Sequence, residues 1–276
     1  MPDKPNPAFH LTGHAVIALA GPDATAFAQA QFMSDVASLA DGHWQWSGWL
    51  TPQGRVVALF ALVRRDPQLV WLVVAAGQAD ALAQGLARYV FRSKLSITTL
   101  PLACNGRFAS PSHAHGSRSG MDGDAVELDM GGDGGPRALR IEAEASAGDA
   151  AQAEAWLAFD LAHGLPRLAG EPKWTPQQLS LEGLRAFSVR KGCYPGQEIV
   201  ARTHFLGQAK RELALFEAGA PLQAGEVLAS GEARGAVVSA AGTLALAVIA
   251  SDAPHDGWIA GTAPLQRRPL LDGLAR

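Results

Sequence analysis

The chain has 276 residues, 48% hydrophobic and 18% charged, with a net charge of −3. That is material for one large domain or two to three small ones and excludes a wholly disordered chain. The charge excludes a globally basic nucleic-acid or membrane binder, and the two cysteines exclude a disulfide scaffold and point to a reducing cytoplasm.

The start, Met1 to Asn6, is polar and proline-rich, without the basic and apolar regions of a secretory signal. No apolar run approaches the roughly 18–20 residues of a membrane span. His14–Ala20 is β-prone, and Gly21-Pro22-Asp23 breaks it, with Pro22 and Asp23 suited to a helix start. A helix is expected over Ala24–Met33. Trp44 and Trp46 share one face of a strand, Thr51-Pro52-Gln53-Gly54 reads as a turn, and Val56–Val63 and Leu69–Ala75 as a hairpin around Asp66-Pro67. Gln78–Val90 is helical in pattern and Lys94–Leu102 returns as a strand. Hairpins interspersed with helices give an α+β class.

Composition shifts after Cys104. Ser110–Gly135 is rich in Ser, Gly, His and Asp and reads as hairpins with flexible tips or as partial disorder, broken by the strand-like Ala125–Met130. Arg137–Ala143 is a short strand. Asp149–Ala162 is a helix ending at Gly164, with Trp156, Phe159 and Ala162 near one face. From Arg211 onward, β-prone runs (Glu212–Glu217, Glu226–Ser230, Ala236–Ala240, Leu244–Ala250) recur between glycines, the pattern of a small antiparallel barrel.

Chemistry concentrates before that barrel. Residues 185–211 hold six Lys or Arg against one acid, a local charge of +5 that favours an anionic partner. Lys191 and Lys210 stand out because the chain has 18 Arg but only 5 Lys. Within the segment, Lys191-Gly192-Cys193-Tyr194-Pro195-Gly196-Gln197-Glu198 sets a thiol among cations, glycines and a turn, ahead of a helix beginning near Gln197. Such surroundings favour the nucleophilic, metal-binding thiolate. The alternative is a buried small hydrophobe, the commonest fate of a lone cysteine. Cys104, in an Ala-Cys-Asn-Gly context, reads as structural. No P-loop, dinucleotide fingerprint, hydrolase elbow or metal-ligand spacing is present.

KGCYPGQE followed by IVARTHFLGQAKR resembles the signature of the YgfZ-type folate-binding family, a branch of the glycine-cleavage T-protein superfamily. Weaker likenesses cover about residues 10–217: Ala20–Asp23 through Asp35-Val36, Leu50–Arg55, Phe91–Ile97, Trp156 with Gly164-Leu165-Pro166, and Pro176-Gln177. Ser180 stands where the family has Asn, and His14 where it has a folate-contacting tryptophan.

The resemblance implies two ferredoxin-like α+β lobes within 1–205, with internal boundaries near 100 and 150 and a first lobe that can be discontinuous. A C-terminal antiparallel β-barrel over 206–276 follows. It also implies tetrahydrofolate as cofactor and a role in assembly or repair of iron–sulfur clusters, serving iron–sulfur enzymes such as those that modify tRNA. Partners would be iron–sulfur proteins and, transiently, RNA at the basic patch, with no membrane. Two other functions stay open: a folate-dependent aminomethyl or methyl transferase, and a non-catalytic module docking tRNA or protein.

On this likeness Cys193 is the functional thiol, with Trp156, Lys191, Tyr194, Gln197, Glu198, Arg202 and Asp35 as cofactor-binding candidates. Trp156 either offers a pterin its flat face or anchors the core. Lys191, Arg202 and Lys210 either meet folate carboxylates or sit solvated. Glu198 either bonds pterin nitrogens or pairs with Arg202 four residues on. Asp35 is either a pterin-facing carboxylate or a loop acid.

Overall fold

The computed structural model describes residues 7–207 and 209–276; the Met1–Asn6 segment lies outside them. The described chain opens on β1 (Phe9–His10), which joins a later sheet. The first sheet is built from β2 (His14–Ala20), β3 (His43–Leu50), β4 (Val56–Asp66), β5 (Leu69–Ala75) and β6 (Ser96–Leu100), ordered β3-β4-β5-β2-β6 and antiparallel throughout. Helices α1 (Ala24–Gln31) and α2 (Ala79–Ala87) cover one face. Strand alternation explains the layering: Ile17, Leu19, Phe60, Leu62, Leu72 and Val74 pack beneath the helices, while Val16, Trp44, Trp46, Val63 and Trp71 face the rest of the molecule. Both faces are covered, so the strands read as apolar runs.

The second sheet takes β1, β7 (Ala103–Arg107), β8 (Gly120–Asp122), β9 (Ala125–Asp129) and β10 (Ala138–Glu142), in the order β1-β7-β10-β9-β8. Helix α3 (Ala150–Ala162) lies against it, started by the Asp149 carboxylate, which accepts from the Gln152 amide at 3.0 Å. The Ser110–Gly135 segment is ordered, because two acids, the buried Glu127 and the partly buried Asp129, bind its turns. Glu127 accepts from the amides of His113 (2.6 Å) and Ala114 (3.1 Å), and Asp129 from those of Gly116 (2.9 Å) and Gly131 (3.1 Å). Cys104 is fully buried on β7.

After α4 (Gln197–Leu206) come β11 (Arg211–Ala218), β12 (Val227–Ser230), β13 (Ala233–Ala241), β14 (Leu244–Ala250), β15 (Ile259–Ala260) and β16 (Ala263–Arg268), a closed antiparallel barrel. Phe216, Leu228, Ile249 and Trp258 fill it, while Leu213, Leu215, Leu246 and Val248 point outward into the core shared with the two sheets. The closing strand β16 carries polar residues whose Arg267 and Arg268 pair with Glu212 and Glu217 of β11, each at 2.6 Å.

The chain then crosses back. The Leu271 amide donates to Ala162 O, Trp46 Nε1 donates to Leu274 O (both 2.8 Å), and Arg276 reaches Asp129 O and Gly131 O at 2.7 and 2.8 Å. The last residues thus tie the barrel to both sheets. Among the described residues, no helix is long and apolar enough to cross a membrane.

Candidate functional site

The turn carrying Cys193 is fastened from below. Lys191 is buried, and its ammonium donates to three carbonyls at the C-terminal end of α1: Gln29, Phe32 (2.6 Å) and Ser34 (3.0 Å). Helix-end carbonyls lack intrahelical partners and form the negative pole of the helix dipole, so a cation suits them. Burial pushes Lys191 down to about 8, against an upward pull from Asp35. Tyr194 is also buried; its ring lies 4.9 Å from the ammonium and its hydroxyl donates to Ser188 O at 3.1 Å. Burial raises the Tyr194 phenol above its ordinary range. The Ser188 amide donates to Met33 O at 2.8 Å, and Gln197 Nε2 to Lys191 O at 3.0 Å. With Lys191 and Tyr194 turned inward, Gly192 and Cys193 stand in solvent.

Gly196 then starts α4 with φ +78°, a left-handed backbone that suits glycine. The Thr51–Gly54 turn presses on this point, so closely that a Cβ on Gly196 would lie 2.7 Å from Gly54 Cα. Glu198 and Arg202 are both exposed on α4, and no ion pair joins them. Lys210 is exposed beyond the helix. Asp35 is half-buried in the loop after α1, its Oδ1 accepting from Gln29 Nε2 at 3.1 Å and the Ser38 amide at 3.4 Å. Cys193, Tyr194, Gln197, Glu198, Arg202, Lys191 and Asp35 therefore share one region around the α1 end and the α4 start.

Two expected roles do not survive the geometry. Lys191 has no donor left for a folate carboxylate, because all three go to carbonyls. Trp156 offers a pterin no open face. It is fully buried, with the Arg137 guanidinium 4.0 Å over its ring, Phe9 and Phe108 at 6.1 and 5.8 Å, and Gly106 pressed close.

Trp156 instead borders a group of charges that sequence reasoning passed over. Arg137 is fully buried and donates to Asp160 Oδ1 at 2.7 Å and Trp156 O at 3.0 Å; Arg167 lies 3.5 Å from Asp160 Oδ2 and donates to His14 Nε2. His14 is held well below its ordinary range by burial first, then by Arg167 and Arg137, with the Leu11 carbonyl pulling weakly the other way. With Arg167 donating to Nε2, the neutral ring carries its proton on Nδ1, which is buried without a partner at hydrogen-bonding geometry. The available signal was Asp160 at i+4 from Trp156, an acid on the buried stripe of its helix.

His14, Asp160 and Arg167 of this group line a cavity between the first sheet and the 165–174 segment. There Trp46, Leu59, Val73 and Leu165 meet His14 and Arg167 around about 40 Å³ of space, room for a few waters. Two further cavities share parts of its lining: one of about 470 Å³ bounded also by Ala75, Gln78 and Leu168, and one of about 330 Å³ bounded also by Leu168 and reaching Lys173 and the barrel strand β13. Gln78 Nε2 holds the segment by donating to Leu168 O at 3.0 Å. Among the described residues no three His, Cys, Asp or Glu are grouped as a metal site.

No family model matches the chain. It is 31% identical over 225 residues to the tRNA-modifying protein YgfZ of Edwardsiella ictaluri, covering 71% of this chain and 66% of that one. To the tRNA-modifying protein YgfZ of Klebsiella pneumoniae it is 29% identical over 235 residues, covering 74% and 69%. Its fold matches the glycine cleavage system aminomethyltransferase T of Bartonella henselae with a TM-score of 0.67 at 18% identity, over 88% of this chain and 78% of that one. The relatives, the Lys191–Glu198 turn and the two α+β lobes with their barrel agree: the chain belongs to the YgfZ-type family, on the glycine-cleavage T-protein fold.

Proposed function

We propose that this chain is a tetrahydrofolate-binding accessory factor that supports iron–sulfur enzymes, such as those that modify tRNA, through assembly or repair of their clusters, with Cys193 as the functional thiol. The observation that carries this reading is the Cys193 turn. Lys191 and Tyr194 hold it to the end of α1, Gly196 holds it to the 51–54 turn, and the thiol is left outward. So much fastening around an exposed sulfur suits presentation to a partner. A cluster needs several cysteine ligands, so the client protein supplies the others, and the cluster is cargo rather than a resident group. The naming of relatives as tRNA-modifying proteins supports the choice of client.

For tetrahydrofolate these cavities have fitting chemistry: apolar walls, the unpaired His14 Nδ1 and Arg167 at the inner end, and Lys173 toward the outside for a carboxylate. The inner end must widen to admit a ring, and the wall that would have to move is the 165–174 segment, held there by Gln78 and by the Arg167 amide donating to Ser239 Oγ. In this reading 1–205 carries ligand and thiol, and 206–276 braces them. A tetrahydrofolate titration followed by tryptophan fluorescence and thermal unfolding tests it. Binding to the folded state alone should quench Trp46 and raise the melting temperature. If millimolar ligand changed neither, the folate half of the reading would be lost.

A further inference from the structure

Helix α2 ends at Ala87, and the next residues, Arg88-Tyr89-Val90-Phe91-Arg92-Ser93-Lys94, hold three cations and no acid in a chain of net charge −3. Arg88, Arg92 and Lys94 are exposed, and among the described residues none forms an ion pair. The neighbouring Asp23 carboxylate is engaged by the backbone, accepting from the Lys94 amide at 2.7 Å.

Two aromatic rings lie between these cations. Phe91 is 87% exposed and sits at φ +41°, in the left-handed region that a bulky residue enters only at a cost. The turn is closed by the Ser93 amide donating to Val90 O at 2.8 Å, so the ring stays pointed away from the core that would otherwise reward it. Tyr89 is half-exposed and held edge-on to Trp49 at 5.8 Å, and Trp49 fills the space beside Gly85 on α2. Trp49 leads through Leu50 into the 51–54 turn, which meets Gly196 and Ile199 of α4. Through Trp49 the patch is tied to the strand that leads into the turn packed on the start of α4.

An apolar protein surface would match the rings but leave the cations unanswered. An anionic membrane would answer the cations, yet the patch is a short turn and not an amphipathic helix with an apolar face to bury. Unpaired nucleotides answer both, offering phosphates to cations and base faces to exposed rings.

We propose that Arg88, Phe91, Arg92 and Lys94 form a docking platform for a single-stranded stretch of RNA, with Phe91 as the surface on which a base stacks. This deepens the reading above by giving the RNA side of the function its own site, apart from the folate cavities.

Fluorescence anisotropy of the full chain with a labelled single-stranded RNA of about 12 nucleotides, titrated at several salt concentrations, tests it. The Arg88→Ala/Arg92→Ala/Lys94→Ala variant should weaken binding and reduce the log–log salt slope by about 2, at about 0.7 per phosphate contact. Phe91→Leu should weaken binding roughly tenfold with the slope unchanged, and Phe91→Trp should bind like the wild type, since only stacking separates the two. All three variants are surface changes and should melt like the wild type.

Absence of RNA binding, or variants indistinguishable from the wild type, would overturn the proposal. So would loss of binding to phosphatidylserine vesicles in the triple variant without any RNA binding, which assigns the patch to a membrane. The tetrahydrofolate response of the triple variant should equal that of the wild type. No folate response in either, beside Phe91-dependent RNA binding, would sink the folate reading and leave this one standing.

Discussion

Gly54 and Gly196 meet backbone to backbone, with no room for a side chain between the 51–54 turn and the start of α4. A Cβ on Gly196 would come within 2.6 Å of Thr51 O and 2.7 Å of Gly54 Cα, and one on Gly54 within 2.9 Å of the Ile199 Cβ. Both glycines also have positive φ, +71° and +78°. The opposing atoms are mostly backbone and cannot swing aside. Gly196→Ala should therefore cost about 1–3 kcal/mol in urea unfolding from backbone strain alone, before the clash is counted. Gly192→Ala, five residues before α4 in open space, should stay within about 0.5 kcal/mol of the wild type. Equal effects at the two positions would show that the contact does not position the thiol turn.

Lys191 makes a pH prediction. Its folded value of about 8 lies below its ordinary 10.5, because burial disfavours the charge more than Asp35 supports it. Between those two values the unfolded chain binds more protons at this site than the folded one, so its contribution to stability rises with pH across that window. The wild type should gain on Lys191→Met between pH 8 and 10.5 by up to about 3 kcal/mol. Below pH 8 the difference should be flat. Denaturant midpoints of both proteins at pH 7.5, 9 and 10 check this, and parallel pH curves would show that Lys191 is not held as described.

Most of the regular elements were legible in the sequence, because strand alternation and glycine spacing are local. Trp44 and Trp46 share the inner face and Trp49 takes the other, as their spacing requires. The unread pieces depend on distant partners. Strand β7 contains Asn105 and Gly106, poor strand formers, and Asn105 is satisfied there only by Glu142, Glu144 and Ser146. Strand β16 is polar, and its arginines find their acids on β11.

The site shows the same division. Thiol, turn and helix start follow from neighbouring residues, whereas Lys191 reads there as a cation for a folate carboxylate or for solvent, not as a buried one. The three carbonyls that bury it come from a helix about 160 positions earlier. Trp156 could not be assigned to the core without knowing that Arg137 covers it.

Arg137 and Asp160 form an ion pair buried on both sides, at 2.7 Å, beneath the Trp156 ring. Removing one charge strands the other in the core. Arg137→Met and Asp160→Leu should each cost about 3–5 kcal/mol. The double variant should cost much less than their sum, since no uncompensated charge remains. Arg167, 3.5 Å from Asp160 and partly exposed, should recover a fraction of the Arg137→Met loss. A thermodynamic cycle on the four proteins measures the coupling, and strict additivity would show that solvent reaches the pair.

Cys193 and Cys104 should separate cleanly by chemistry. Cys193 stands in solvent on its turn, whereas Cys104 is fully buried on β7 and burial pushes its thiol up to about 12. Thiolate is the reacting form, so at neutral pH Cys104 lacks both access and nucleophile. Iodoacetamide should label Cys193 in the native protein and reach Cys104 only when denaturant opens the sheet. Peptide mapping of the alkylated protein distinguishes the two. Cys193→Ala removes no core volume and should change stability by no more than about 0.5 kcal/mol, whereas Cys104→Ala leaves a small void between strands and should cost more. If the proposed role is right, Cys193→Ala, though well folded, should fail to restore iron–sulfur enzyme activity in cells lacking this protein, while Cys104→Ala should restore it. Full rescue by Cys193→Ala would mean that the thiol is dispensable, and the turn would then have to act through Glu198, Arg202 and its backbone alone.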